Sequence, residues 1–153
     1  MKKLIVIALA ALVSTGLWAQ SNELEMFQSM YKIEKKALLM DFLQLSDEEG
    51  KAFWPIYEEY EAERTKNANR RIELIQKYAE EYATITGEQA DELVKESFAV
   101  RAVQEKLHKK YYNKIKKSVG ALRAAQFIQF ERFVQTALNS QLDDNIPLIG
   151  EKL

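Results

Sequence analysis

"LSDEEGKAFWPIYEEY", residues 45–60, decides how this chain is read. Ser46 followed three residues later by Glu49 is a capping box, so a helix starts here. Phe53, Tyr57 and Tyr60 then recur at helical spacing and mark a buried face. Pro55 falls inside that face, where it has no N–H to donate and its ring crowds the carbonyl four residues back. Two readings follow. Pro55 bends one long helix, or a short helix ends at Phe53 and a new one opens with Pro55 at its first position. The unbroken Phe53, Tyr57, Tyr60 spacing favours the bend. On either reading Phe53 and Trp54 are core or dimer anchors, and the proline shapes the scaffold without taking part in chemistry.

Upstream, a helix is predicted over residues 23–42, with Leu24, Phe27, Tyr31, Leu38 and Phe42 as its apolar face. Residues 1–19 read as a secretory leader. Lys2 and Lys3 precede an apolar run from Leu4 to Val13 that is too short for a stop-transfer helix, and Ala19 is a small residue at the cut. Leu17 is larger than usual at its position, and an N-terminal anchor is the alternative. Cleavage after Ala19 leaves residues 20–153 as one domain with no stable membrane anchor. It moves the formal charge from −1 to −3, which calls for no polyanionic partner. With no cysteine in the chain, an exported protein must be held by packing alone.

Downstream, the second helix continues to about residue 84, with Leu74, Tyr78 and Tyr82 extending its face. Its middle, "EAERTKNANRR" at residues 61–71, has only two alanines to bury, so it is expected to bridge through solvent. Thr86 and Gln89 form a second capping box. The third helix, residues 88–119, repeats Leu93, Val100, Leu107 and Lys114 every seven residues, with Val103 and Tyr111 between, as one narrow seam for one partner helix. At 1.5 Å per residue it is about 45 Å long, and Gly120 ends it. The fourth, residues 122–141, carries Phe127, Ile128, Phe130, Phe133, Val134, Ala137 and Leu138, enough to be clamped between other helices. The tail from about residue 142 is extended, with Ile146, Leu148 and Ile149 able to dock. The fold class is all-α: a thin, elongated four-helix hairpin or cradle with long second and third helices.

Catalytic chemistry finds no foothold. His108 is the sole histidine, which removes His-pair metal sites, and no phosphate loop or nucleophile elbow is present. No enzyme activity, metal or cofactor is expected. "KLHKKYYNKIKK", residues 106–117, interleaves lysines with Tyr111 and Tyr112. It has the ingredients for nucleic acid, but export argues against that partner. Cations gathered near a helix C-terminus are one reading; a surface for acidic or unfolded polypeptide is the other. Arg64, Arg70, Arg71, Lys109, Lys110 and Tyr112 are its candidate residues.

The chain also resembles the Spy/CpxP-like periplasmic family, marked by two short LTxxQ motifs near helix starts. Leu45, Ser46 and Glu49 match the first copy, with Ser for Thr and Glu for Gln. Leu122 and Gln126 match the second, followed by Phe127. "FWPIY" is similar to the FWPxY of relatives from Bacteroidetes-like bacteria, some labelled sensors of extracytoplasmic sigma factors. The resemblance implies an ATP-independent periplasmic chaperone, a curved dimeric protomer that holds partly folded clients. Its alternative is a regulatory partner of an anti-sigma factor or sensor kinase. The polar middle of the second helix leaves little core for a monomer, so a homodimer is expected in which the first or second helix crosses its mate, with Phe53 and Trp54 near the contact.

Overall fold

The computed structural model describes residues 19–143 and 146–150; the leader reading falls on residues 1–18, outside them. Four helices follow in order: α1 Ala19–Leu43, α2 Asp47–Glu81, α3 Gly87–Val119 and α4 Ala121–Asp143. Local chemistry sets their ends. Gln44 adopts a left-handed φ of 44° and its N–H caps Met40, which stops α1. Ser46 and Glu49 form the reciprocal capping box of α2, and Thr86 and Gln89 that of α3. A 3-10 turn, Tyr82–Thr84, closes α2. Gly120, at φ 93°, is the single residue between α3 and α4, a conformation that a Cβ would strain.

α2 and α3 form the longest hairpin, each about 50 Å at 1.5 Å per residue. α4 folds back along α3, and α1 lies against α2 and α4. Phe53, Tyr57 and Tyr60 pack with Tyr111 and Ile115 of α3, Ala124 and Phe127 of α4, and Leu39 and Leu43 of α1. Edge-on aromatic contacts dominate: Phe127 meets Phe53 at 5.9 Å, Tyr57 at 6.4 Å and Tyr60 at 5.1 Å, geometry that adds to their area burial. Beyond this end the hairpin is held differently. Leu93 and Val100 are buried, Asn67 Nδ2 donates to the Val100 carbonyl at 3.0 Å, and Arg70–Glu96 and Lys77–Glu92 bridge the helices at 2.8 and 3.0 Å. The tail returns to this region, where Tyr78 donates to the Pro147 carbonyl at 2.7 Å.

Several expectations are corrected. The buried face of α1 is Lys35, Leu39 and Leu43, while Leu38 and Phe42 are about half exposed; the side chains of Leu24 and Phe27 are not described. Residues 61–71 do not simply bridge through solvent, because Glu61 and Asn67 are buried within them. The α3 seam widens toward its C-terminal end, where His108 and Ile115 join it because α4 packs there as well as α2. Lys114 is exposed, bonded to Glu59. Phe133 is exposed on α4, and Leu148 and Ile149 are exposed in the tail.

Pro55 lies inside one continuous α2, so no new helix starts there. The proline and Lys51 both face solvent, so water can satisfy the Lys51 carbonyl that proline leaves without a donor. The neighbouring Ala52 carbonyl accepts from Ser118 Oγ at 3.4 Å. Pro55→Ala should therefore raise stability, by about 1–3 kcal/mol, since a proline inside a helix costs up to about 3 kcal/mol relative to alanine. Urea denaturation measures this, and a clear loss of stability would contradict a strained helix.

Candidate functional site

The bundle's centre is ionic. Lys35 on α1 is 2 % exposed, and its ammonium lies 2.6 Å from Glu61 on α2 and 2.8 Å from Glu131 on α4. Arg64, one turn beyond Glu61, donates to both Glu61 oxygens at 3.0 Å. The Tyr60 hydroxyl donates to Glu131 at 2.7 Å, and the Tyr57 and Tyr60 rings lie within 5.8 Å of the ammonium. Two cations and two carboxylates thus compensate one another, as buried charge requires. Desolvation opposes ionisation of Glu61, but Lys35 and Arg64 outweigh it and hold its pKa below the usual carboxylate value. Burial, reinforced by Glu131, pushes the Tyr60 hydroxyl well up, so it stays a donor.

The two motif segments meet. Arg123, inside the second, donates to Glu49 of the first at 2.8 Å, to the Leu43 carbonyl at 2.8 Å and to Gln126 at 3.2 Å. Glu49 closes the α2 cap at the same time, accepting from the Ser46 N–H at 2.9 Å. The Arg123 hydrogen bond, with the Ser46 N–H, lowers its pKa to about 2. Leu45 packs against the core and Phe127 is part of it, whereas Leu122 is 71 % exposed. Trp54 lies edge-on to Phe53 and Tyr57 under the Lys36 ammonium. Phe53 is fully buried, so it anchors the core and offers no surface to a second chain.

The candidate cationic surface is only partly assembled. Arg64 belongs to the ionic centre, Arg70 pairs with Glu96, Lys110 is bonded to Glu63 at 2.6 Å, and Arg71 is half-buried on α2. Lys109 and Tyr112 do come together, in an open groove of about 540 Å³ between α3 and α4 with Lys106, His108, Glu105, Ile128 and Arg132. Ile128 and Tyr112 are half-buried and pack against the core, giving the groove an apolar component. Arg132 is held by Glu105 at 3.0 Å. The Lys106 and Lys109 side chains make no ion pair or hydrogen bond with another described residue. Sequence reasoning reached Lys109 and Tyr112 through their pattern but missed Ile128 and Arg132, which reach the groove only through the fold of α4 on α3.

His108 is 4 % exposed. Gln104 Nε2 lies 2.8 Å from its Nε2; the amide donates, so the neutral ring carries its proton on Nδ1, 3.7 Å from Glu105. Burial lowers the pKa of His108 against the opposing pull of Glu105. The ring is therefore neutral at pH 7 and adds no cation to Lys106, Lys109 and Arg132 in the groove.

No protein-family model, curated protein or solved structure matches the chain.

Two outcomes test this construction. Lys35→Met should cost about 3–5 kcal/mol in urea denaturation, because it leaves Glu61 and Glu131 buried without their shared cation. Acid should also destabilise the protein in a defined window. Glu49 and Glu61 have folded pKa values below the ordinary 4.5, so the unfolded chain takes up protons first. Their contribution is complete above about pH 4.5 and lost as pH falls toward 2. Melting temperatures at stepped pH should show this decline, and Arg123→Met should flatten its lower part, where Glu49 titrates.

Proposed function

We propose that this chain is a polypeptide-binding protein of the cell envelope, an ATP-independent holdase that keeps partly folded proteins from aggregating. One observation carries the reading: Lys106 and Lys109 stand beside a groove with an apolar component and pair with no carboxylate among the described residues, while nearby Lys110 and Lys114 are bonded to carboxylates of α2. These two cations beside half-buried Tyr112 and Ile128 suit a segment with both acidic and large apolar side chains. An open groove suits many such segments, since it encloses none of them. The leader-like residues 1–19 support an exported, periplasmic setting. The resemblance in the two motifs near helix starts points the same way. The groove gathers no nucleophile–base pair, which favours binding over catalysis.

The test is aggregation of a reduced or heat-stressed client protein, followed by light scattering without ATP. The chain should suppress scattering at a few-fold molar excess, and Lys106→Glu with Lys109→Glu should lower its potency at least five-fold. Both positions are exposed, so the variant should melt with the wild type. No suppression at ten-fold excess would overturn the holdase reading. Capture of one stoichiometric envelope partner in its place would favour the regulatory alternative, in which the same groove serves an anti-sigma factor or a sensor kinase.

A further inference from the structure

α1 is turned inside out. Its inward face carries Lys35, sealed in the ionic centre. Its outward face carries Met26, Met30, Ile33 and Met40, exposed at 62, 54, 70 and 51 %. With Ala37 these residues step along the helix by four, three, four and three. That is the alternation of a and d positions in a coiled coil. At 100° per residue the stripe is centred roughly 150° from Lys35, Leu39 and Leu43, so the described helices packed on that inner face leave it uncovered. Such a stripe in water is incomplete.

We propose that the stripe pairs with the α1 of a second copy of this chain, as a parallel two-stranded coiled coil. The flanking charges select both the occupant and its direction. With Met30 and Ala37 at a, and Met26, Ile33 and Met40 at d, Lys36 takes a g position, and Glu34 and Asp41 take e positions. A parallel pair sets each g residue beside the e residue five positions on in its mate. Lys36 of each copy then faces Asp41 of the other, twice by symmetry. An antiparallel pair centred on Ile33 sets Glu34 against Glu34, a like-charge contact. Lys36 already holds Glu58 at 2.6 Å but keeps 36 % of its side-chain surface exposed, so it can serve both carboxylates. Because the core face of α1 points away from the stripe, a two-fold axis along the paired helices carries the two bodies to opposite sides.

The stripe spans about 20 Å of helix and would bury roughly 1,000 Å² in total, the lower end for a specific interface. Of the two residues expected near a dimer contact, Phe53 is inside the core, and the stripe gives the crossing of first helices a different set of contact residues. It uses a different face from the α3–α4 groove, so the two proposals stand independently.

Sedimentation equilibrium of the full chain from 1 to 100 µM tests it. The wild type should dimerise over this range. Ile33→Asp should remain monomeric at 100 µM with unchanged helicity by circular dichroism, since the residue touches little of its own chain. Direction is read by disulfide formation, because the chain has no cysteine of its own. In a parallel pair Met26→Cys and Met40→Cys should each cross-link to its own copy under mild oxidation. A wild type that is monomeric at 100 µM, or a dimer that survives Ile33→Asp, overturns the proposal. Cross-linking of Ile33→Cys with none at positions 26 and 40 overturns it too, since only an antiparallel pair brings the stripe's midpoint alone together.

Discussion

The Lys35 ammonium, held between Glu61 and Glu131, is the constraint on which the rest of the molecule depends. It joins α1, α2 and α4 at one point. A buried ion pair of this kind adds little net stability over apolar packing, but removing one partner is costly. Its effect here is on register. Sliding α1 by one turn would place Tyr31 or Leu39 where Lys35 sits and leave two carboxylates in the bundle without their shared cation. Apolar residues along α1 would tolerate that slip far better, since any of them can fill another's place at modest cost. The charge selects one alignment, and that alignment turns the Met–Ile stripe outward.

The aromatic core depends on the same point. Tyr60 both packs against Phe127 at 5.1 Å and donates its hydroxyl to Glu131 at 2.7 Å. A phenylalanine there would pack as well but leave Glu131 one donor short. The core is concentrated around residues 53–60, whereas the rest of the hairpin relies on Asn67, two buried aliphatics and exposed ion pairs. Exposed pairs each contribute little. The hairpin's free end is therefore the less stable part of the fold, and the tail's hydrogen bond to Tyr78 lies there.

The helices were legible in the sequence because caps and periods are local. Ser46–Glu49, Thr86–Gln89 and Gly120 each act within one turn of their own position, and each marks a real boundary. The aromatic face of α2 was legible too. Lys35 was not, because a lysine flanked by Glu34 and Lys36 reads as solvated, and its partners come 26 and 96 residues later. The polar stretch at residues 61–71 misled for the same reason: Glu61 is buried through partners on another helix. α1 misled by one position, since two apolar faces compete along it and the more hydrophobic one is outside. Of the candidate surface, Lys109 and Tyr112 were found by their pattern, while Arg64 and Lys110 were already committed to carboxylates that no local pattern reveals.

A chain of hydrogen bonds connects the groove to the ionic centre. Gln104 Nε2 lies 2.8 Å from His108 Nε2 and 3.4 Å from the Tyr60 hydroxyl, and Tyr60 donates onward to Glu131, which holds Lys35. Proton positions along it are fixed by the ends. Glu131 accepts, so Tyr60 donates to it and accepts from Gln104; the amide's other hydrogen then faces His108, whose Nε2 must accept. A protonated His108 would carry a hydrogen on both ring nitrogens and meet the amide donor-to-donor. Relief requires the Gln104 amide to turn over, which breaks its link to Tyr60. Burial disfavours that charged ring, so at neutral pH the chain remains in one arrangement. The residue that forms part of the groove and the lysine that fixes α1 thus belong to one polar network, and protonating the His108 ring would break the Gln104 link that joins the groove to Tyr60 and Glu131.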